Sequence, residues 1–332
     1  MNKRIYLLIT ATFAIALICL SGLTSPTPVH ATDDPLPSWN DGRVKQAITE
    51  FVSRVTTANS PDFLLREDRI ATFDNDGTLW VEKPVIQGMF VLDRLKKMAA
   101  ADPSLKQKQP YKAVLEEDVA YFKQAGEAAV MELLAATHAN MTQEQFEQEV
   151  RTFFKTGVHP TLKVSYTRVT YKPMVELLEY LRANGFQTWI CSGGGIDFMR
   201  VVSQQLYGIP PQQVIGSNGK AEFIQKDGKF AIWRLPEVGR INDKVGKPVG
   251  INLHIGKRPV FAAGNERSGG DIAMLTYSQG RPGASFQLLI NHDDAQREFA
   301  YQEPDNASLN AAKVNGWNVV SIQKDWKTVF FQ

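Results

Sequence analysis

The stretch Arg69-Ile-Ala-Thr-Phe-Asp74-Asn-Asp76-Gly-Thr-Leu79 decides how the rest of the chain is read. Ile70 to Phe73 reads as a short buried strand, and two aspartates separated by one residue stand at its carboxyl end. In open α/β sheets ligands bind where strands end, so an acidic pair there occupies a place where chemistry is done. One such carboxylate can attack an electrophilic phosphorus, and its neighbour can give the leaving oxygen a proton. Asp-Asn-Asp-Gly also reads as a plain turn, or as the opening of a calcium loop. An EF-hand loop needs a Glu at its twelfth position, and counted from Asp74 that position is Val85.

Around this stretch the chain alternates. A helix is predicted at Val44–Ala58, with Ile48, Phe51, Val52 and Val55 on one face. From Val85 to about Phe154 the periodicity is helical throughout: Gln87–Ala100, Tyr111–Ala136 and Thr142–Phe154, the last opened by a capping box at Thr142 and Gln145. This reads as an all-helical insertion of about seventy residues with no strand in it. Strand and helix then alternate again: Pro173–Asn184 helix, Gln187–Cys191 strand, Ile196–Tyr207 helix, and a β-hairpin from Val214–Ile224 and Lys229–Arg234. Helices at Pro248–His254, Asp271–Tyr277 and Ser308–Asn315 separate strands at Val260–Ala263, Phe286–Asn291 and Trp317–Ile322. The expected fold is α/β, a mostly parallel sheet covered on both faces by helices.

Three more strand ends or helix starts carry polar groups. Thr188-Trp-Ile-Cys-Ser192-Gly-Gly-Gly195 places a hydroxyl beyond a strand, with glycines that bare backbone N–H groups to an anion, though a ligand-free glycine turn has the same sequence. Lys244 and Lys247 lie at a predicted helix start, where solvated lysines are the ordinary reading. Phe261-Ala-Ala-Gly264-Asn265-Glu-Arg-Ser-Gly-Gly-Asp271 ends a strand and opens a helix, for which Asp271 would serve as N-cap.

Acid pair, hydroxyl, lysine and acid in this order resemble the four motifs of the haloacid-dehalogenase-like phosphohydrolases, over about Arg69 to Ala300. The Ser-Gly-Gly and the helical insertion after the first motif are most similar to the phosphoserine-phosphatase-like branch. The resemblance implies a Rossmann-like three-layer core of residues 32–84 and 160–332, with a helical cap at 85–159. It implies Asp74 as nucleophile, Asp76 as general acid/base, and Lys247 as the cation that offsets charge, with Lys244 in reserve. Ser192 and Gly193 would hold phosphoryl oxygens. Mg²⁺ is the implied cofactor, held by the Asp74 carboxylate, the Asp76 main-chain carbonyl and Asp271. Asn265 stands in this metal set where the family usually has Asp, and Asp271 comes six residues later instead of four, so the role of Asn265 or Glu266 stays open. Glu82 lies where this branch often presents an acid to a substrate amino group; a surface glutamate is the equal alternative. His138, Arg151 and His159 could face the cleft, but read more simply as helix-surface or turn residues.

The implied function is hydrolysis of a small phosphorylated metabolite through an aspartyl-phosphate. A dehalogenase has no use for Asp76. A phosphotransferase of the same superfamily and a non-catalytic phosphate- or metal-binding protein remain alternatives.

Ahead of all this, Lys3-Arg4, an apolar run from Ile5 to about Leu23, and Val29-His-Ala31 read as a signal peptide, residues 1–31, with an uncleaved membrane anchor as the alternative. The expected mature protein is periplasmic or secreted, without stable membrane association. Cleavage removes Lys3 and Arg4 from 37 basic residues, leaving 35 against 35 acidic ones, a balance that gives no case for nucleic acid. Only Cys191 would remain, on an apolar strand, as a buried inert thiol.

Overall fold

The computed structural model describes residues 34–331 apart from 227 and 268, so the expected signal peptide lies outside the described residues. The chain runs α1 (Arg43–Thr56), β1 (Ile70–Phe73), α2 (Ile86–Ala101), α3 (Tyr111–Leu115), α4 (Val119–His138), β2 (Met141–Thr142) and α5 (Gln143–Thr156). It continues through α6 (Lys172–Ala183), β3 (Gln187–Gly195), α7 (Ile196–Tyr207), β4 (Val214–Lys226), β5 (Lys229–Arg240) and α8 (Gly246–His254). Then come β6 (Phe261–Asn265), α9 (Ile272–Gln279), β7 (Phe286–Asn291), α10 (Ala307–Asn315) and β8 (Asn318–Ser321).

Local chemistry accounts for these elements. β1 is buried at every position, as a strand covered on both faces must be. α1 buries Val44, Ile48, Phe51, Val52 and Val55, a single helical stripe, and Phe51 packs on Phe261 and Phe286 beneath the sheet. At the start of α5 the Thr142 hydroxyl accepts from Gln145 N at 3.2 Å, while Gln145 Oε1 accepts from Thr142 N at 2.9 Å. α7 stops at Gly208, whose φ of 66° suits a residue without a Cβ.

The sheet has the order β2-β5-β4-β3-β1-β6-β7-β8. Pairings from β4 across to β8 are parallel, and β4–β5 and β5–β2 are antiparallel. Helices flank this mixed, mostly parallel sheet, which is the expected α/β fold. β1 lies between β3 and β6, so the chain leaves it on one side and later returns on the other. A crevice opens at such a switch point, outside the strands' carboxyl ends.

Several details differ from the sequence reading. Asp33-Asp34-Pro-Leu-Pro makes 32–45 read as a disordered leader in the sequence, but the segment is anchored where it is described. Leu36 and Trp39 are buried, Trp39 Nε1 donates to Pro173 O at 2.9 Å, and its ring meets Trp326 edge-on. The Ser38 hydroxyl adds a bond to Glu176 Oε1 at 2.7 Å, and none of these anchors makes a periodic pattern. The predicted helix Tyr111–Ala136 is interrupted where Glu117 and Gly126 take positive φ, 57° and 65°. The insertion between β1 and β3 is not wholly helical, because β2 pairs Met141 with Arg234 and Thr142 with Trp233. Two residues are too short a run to announce a strand by alternation. β5 extends to Arg240, beyond the expected Arg234, past register shifts near Asn218 and Gly219.

Candidate active site

The carboxyl ends of β1, β3 and β6 open into a cleft of about 460 Å³. Asp74, Asp76, Glu82, Ser192, Gly193, Lys247, Asn265 and Asp271 all line it, so the fold brings together every expected site residue. Lys244 lines it as well, but Lys247 is the buried lysine, 2% exposed in the first turns of α8.

Lys247 lies between two carboxylates. Its Nζ donates to Asp74 Oδ1 at 2.6 Å and also to Asp271 Oδ1. Burial disfavours the ammonium, but Asp271 and Asp74 outweigh it and hold its pKa well above the ordinary lysine value. Asp74 is raised well above the usual carboxylate range by burial and then by the charge of Asp271, against the pull of Lys247. β1 and β6 fix this arrangement through the bond from Asp74 N to Ala263 O, 2.9 Å. Gly264 must lack a side chain, since a Cβ there would lie 2.5 Å from Asp271 Cβ.

Asp76 follows on the turn that leaves β1. Its carboxyl is pushed up to about 6, chiefly by burial and with help from Glu82, despite the bond that Trp80 Nε1 donates to Oδ1 at 3.0 Å. Gly77 closes the turn at φ 74°; a Cβ there would stand 2.0 Å from Asn265 Nδ2. A buried relay supports the turn from below: His292 Nε2 lies 2.8 Å from Gly77 O and its Nδ1 3.1 Å from Glu298 Oε2. Tyr171 in turn donates to Glu298 Oε1 at 2.5 Å.

On the β3 side the Ser192 hydroxyl oxygen accepts from Gly194 N at 3.0 Å. That bond uses a lone pair and leaves the O–H proton for an oxygen in the cleft. Asn242 Nδ2 holds Ser192 O at 3.0 Å, Ser217 Oγ holds Gly193 O at 2.7 Å, and Gln87 Oε1 accepts from Gly195 N at 2.8 Å. The neighbouring Cys191 is buried and its thiol pushed up to about 12 by burial, so it stays an inert thiol.

The end of β6 shows how its altered spacing is used. Asn265 N donates to Asp271 Oδ2 at 2.9 Å, which orients the acid from six residues away. The Asn265 side chain, expected among the metal ligands, points its amide nitrogen at Glu82 Oε2, 3.2 Å, and Tyr301 OH, 3.1 Å. Glu82, expected to meet a substrate amino group, is 2% exposed and already paired with Arg267 and Asn265. Glu266 is fully buried and stands outside the cleft lining, and burial raises its carboxyl.

Residues that could hold a metal are therefore the carboxylates of Asp74 and Asp271 and the main-chain carbonyl of Asp76. Among the described residues no three His, Cys, Asp or Glu side chains form a closed cage. Mg²⁺ needs none, because it keeps several waters and takes one or two carboxylates with substrate phosphate. Oxygen-only donors, and a buried Asp74 raised by desolvation and then by the charge of Asp271, fit such a cation.

Gln87, Asp243 and Arg267 also line the cleft and were missed. Arg267 follows the end of β6 by two residues, a signal that was present; Gln87 sits in the helical insertion without one. Of the three insertion residues considered, Arg151 is exposed beside Glu147, and His159 is buried against Lys83 O. His138 is half-buried: it packs on Phe90 and Phe146, its pKa lowered to about 3 by burial and by Arg234.

The fold is similar to those of solved proteins. A solved protein of unknown function from Bordetella pertussis shares 15% identity, over 76% of this chain and 98% of its own, with a TM-score of 0.50. A functionally unknown protein from Anaerococcus prevotii shares 16% identity, over 86% of this chain and 94% of its own, also with a TM-score of 0.50. A phosphoserine phosphohydrolase-like protein from Francisella tularensis is more distant in shape, with 18% identity, 74% and 99% coverage and a TM-score of 0.38. No curated protein matches the chain. The family model of haloacid dehalogenase-like hydrolases matches residues 71–274, more than half of the chain, with the three strand ends and the start of α8 that build the cleft. The chain belongs to the haloacid dehalogenase-like hydrolases.

Proposed function

We propose that this hydrolase is a Mg²⁺-dependent phosphomonoesterase working through a phosphorylated Asp74. The observation that carries the reading is the Asp74–Lys247–Asp271 bridge at the switch point of the sheet, facing the Ser192 hydroxyl across one cleft. Lys247 holds one Asp74 oxygen and leaves the other to attack phosphorus. The Ser192 hydroxyl and the Gly193 N–H near the end of β3 would bind the non-bridging oxygens as charge shifts onto them. When bound, the divalent cation would offset the negative charge that carboxylates and phosphate share.

Protons are assigned to Asp76. Its raised pKa keeps the acid form available near pH 6 for the departing alkoxide. The carboxylate left behind then takes a proton from the water that attacks the aspartyl-phosphate, which releases phosphate and restores both aspartates. Glu82 is assigned to positioning Arg267 and Asn265 rather than to a substrate ammonium.

The substrate is proposed to be a small phosphorylated metabolite met outside the cytoplasm, after removal of residues 1–31. N-terminal sequencing of native protein should begin at Thr32; recovery of Met1 would contradict export by cleavage. Phosphate release from a panel of phosphomonoesters, with Mg²⁺ and with EDTA, tests the activity. Tight phosphate binding without turnover on any of them would favour a binding protein instead.

A further inference from the structure

A second cavity, of about 530 Å³, adjoins the cleft and shares Val85, Gln87, Gly193 and Gly194 with it. Its volume falls within the range of small-molecule pockets. One wall is the helical insertion, with Met131 and Leu134 of α4, and the other is β5, with Leu235 and Val238. Exposed apolar side chains are ordinarily scattered, yet Val85, Val130, Val238 and Ile241, each at least 37% exposed, border this one space.

The charges in its wall are already spent on one another. Arg234 donates to Asp197 Oδ2 at 2.5 Å, Gln143 Oε1 at 2.6 Å and His138 O at 2.6 Å, and its guanidinium lies over the Phe146 ring. Lys220 pairs with Glu237 at 2.6 Å on the solvent edge. His138 is neutral, held down by burial and Arg234, with Nδ1 bonded to Thr137 Oγ1 at 2.7 Å. A zwitterionic leaving group needs unpaired charges of both signs when it is desolvated. In the cleft itself Glu82, the acid nearest to such a role, is taken by Arg267 and Asn265.

We propose that the second cavity receives the alcohol portion of the substrate, and that this portion is uncharged and apolar, ring-sized or larger. The inference rests on the phosphomonoesterase reading for its position, with the phosphate at Asp74 and the alcohol between α4 and β5. It excludes amino-acid and polyol phosphates as preferred substrates.

Non-hydrolysable phosphonates separate this claim from catalysis. With Mg²⁺ present, calorimetry on the intact chain compares methylphosphonate, hexylphosphonate and 3-aminopropylphosphonate. Burial of each methylene is worth roughly fourfold in affinity, so burying even half of the five added methylenes should make hexylphosphonate bind about 30-fold tighter than methylphosphonate. The aminopropyl compound should gain nothing over methyl. Leu134→Asp and, on the opposite and more exposed wall, Val238→Lys should each reduce the hexyl-to-methyl ratio to about threefold while methylphosphonate binding holds. A ratio near one in the native chain, or a ratio that survives both substitutions, overturns the proposal. Phosphate ester turnover with no chain-length preference in binding would sink the pocket and leave the phosphatase standing. The preference without any turnover would support the pocket and sink the phosphatase.

Discussion

Lys247 Nζ stands 2.6 Å from Asp74 Oδ1 while it also bonds Asp271, so a single buried ammonium keeps two acids together at the sheet's switch point. Removing one partner from a buried charge group leaves the others uncompensated, at a cost of about 3–5 kcal/mol. Lys247→Met should therefore lower thermal stability as well as activity. Neutralising one of the acids should repair the first loss but not the second. Melting curves are expected to place Lys247→Met/Asp74→Asn above Lys247→Met alone; a double variant no more stable than the single one would show that the acids do not strain against each other.

The pH dependence follows from Asp76. Its folded pKa, about 6, lies above the ordinary value of 3.8, so the folded state holds this proton more tightly than the unfolded chain does. Its stabilising contribution is complete below about pH 4 and is lost as pH rises through about 6. Asp76→Asn keeps an oxygen for Trp80 Nε1 and should stabilise the fold above pH 7, by on the order of 2 kcal/mol. The same change should slow phosphoryl transfer to Asp74 for alkyl phosphates much more than for p-nitrophenyl phosphate, whose leaving group needs no proton. Equal slowing of that step for both esters would remove Asp76 from the acid role.

Metal dependence separates Asp271 from Asn265. Activity should vanish with EDTA and return with Mg²⁺. Asp271→Ala should raise the Mg²⁺ needed for half-maximal activity at least 10-fold, because a carboxylate binds a hard dication far better than an amide does. Asn265→Ala keeps the backbone N–H that orients Asp271 Oδ2, so its effect should be the smaller one. Titrations that rank the two in the opposite order would contradict the roles assigned to the end of β6.

Gly77 offers a test of the turn itself. Its φ of 74° and the 2.0 Å approach of Asn265 Nδ2 to a Cβ position leave no room for a side chain. Gly77→Ala should cost at least about 1 kcal/mol in backbone strain and displace the amide that holds Glu82. Melting temperature and kcat should fall together; an unaffected kcat would mean that the turn carries no catalytic geometry.

What the sequence made legible was what local pattern encodes. Ile70–Phe73 is short, apolar and followed by acids, so the strand, the switch point and the cleft's first motif could be read together. Ser192, Lys247 and Asp271 were legible because each stands at a strand end or helix start. The anchoring of Leu36 and Trp39, the pairing of Met141–Thr142 with β5, and the support of Gly77 by His292, Glu298 and Tyr171 depend on contacts distant in sequence. No periodicity marks such contacts. Glu82 was read by its distance from Asp74, whereas its partners, Arg267 and Asn265, are set by the return of β6 beside β1.

Covalent phosphate on Asp74 is the central claim, and acid-quenched mass spectrometry of the peptide containing Asp74 measures it. Turnover of a phosphomonoester with Mg²⁺ should leave a phosphorylated peptide that hydroxylamine cleaves, most abundant in Asp76→Asn acting on p-nitrophenyl phosphate, where water activation is slowed. Asp74→Asn should give neither the modified peptide nor turnover. Full turnover in Asp74→Asn, or native turnover with no phosphate on this peptide at any quench time, would contradict the mechanism.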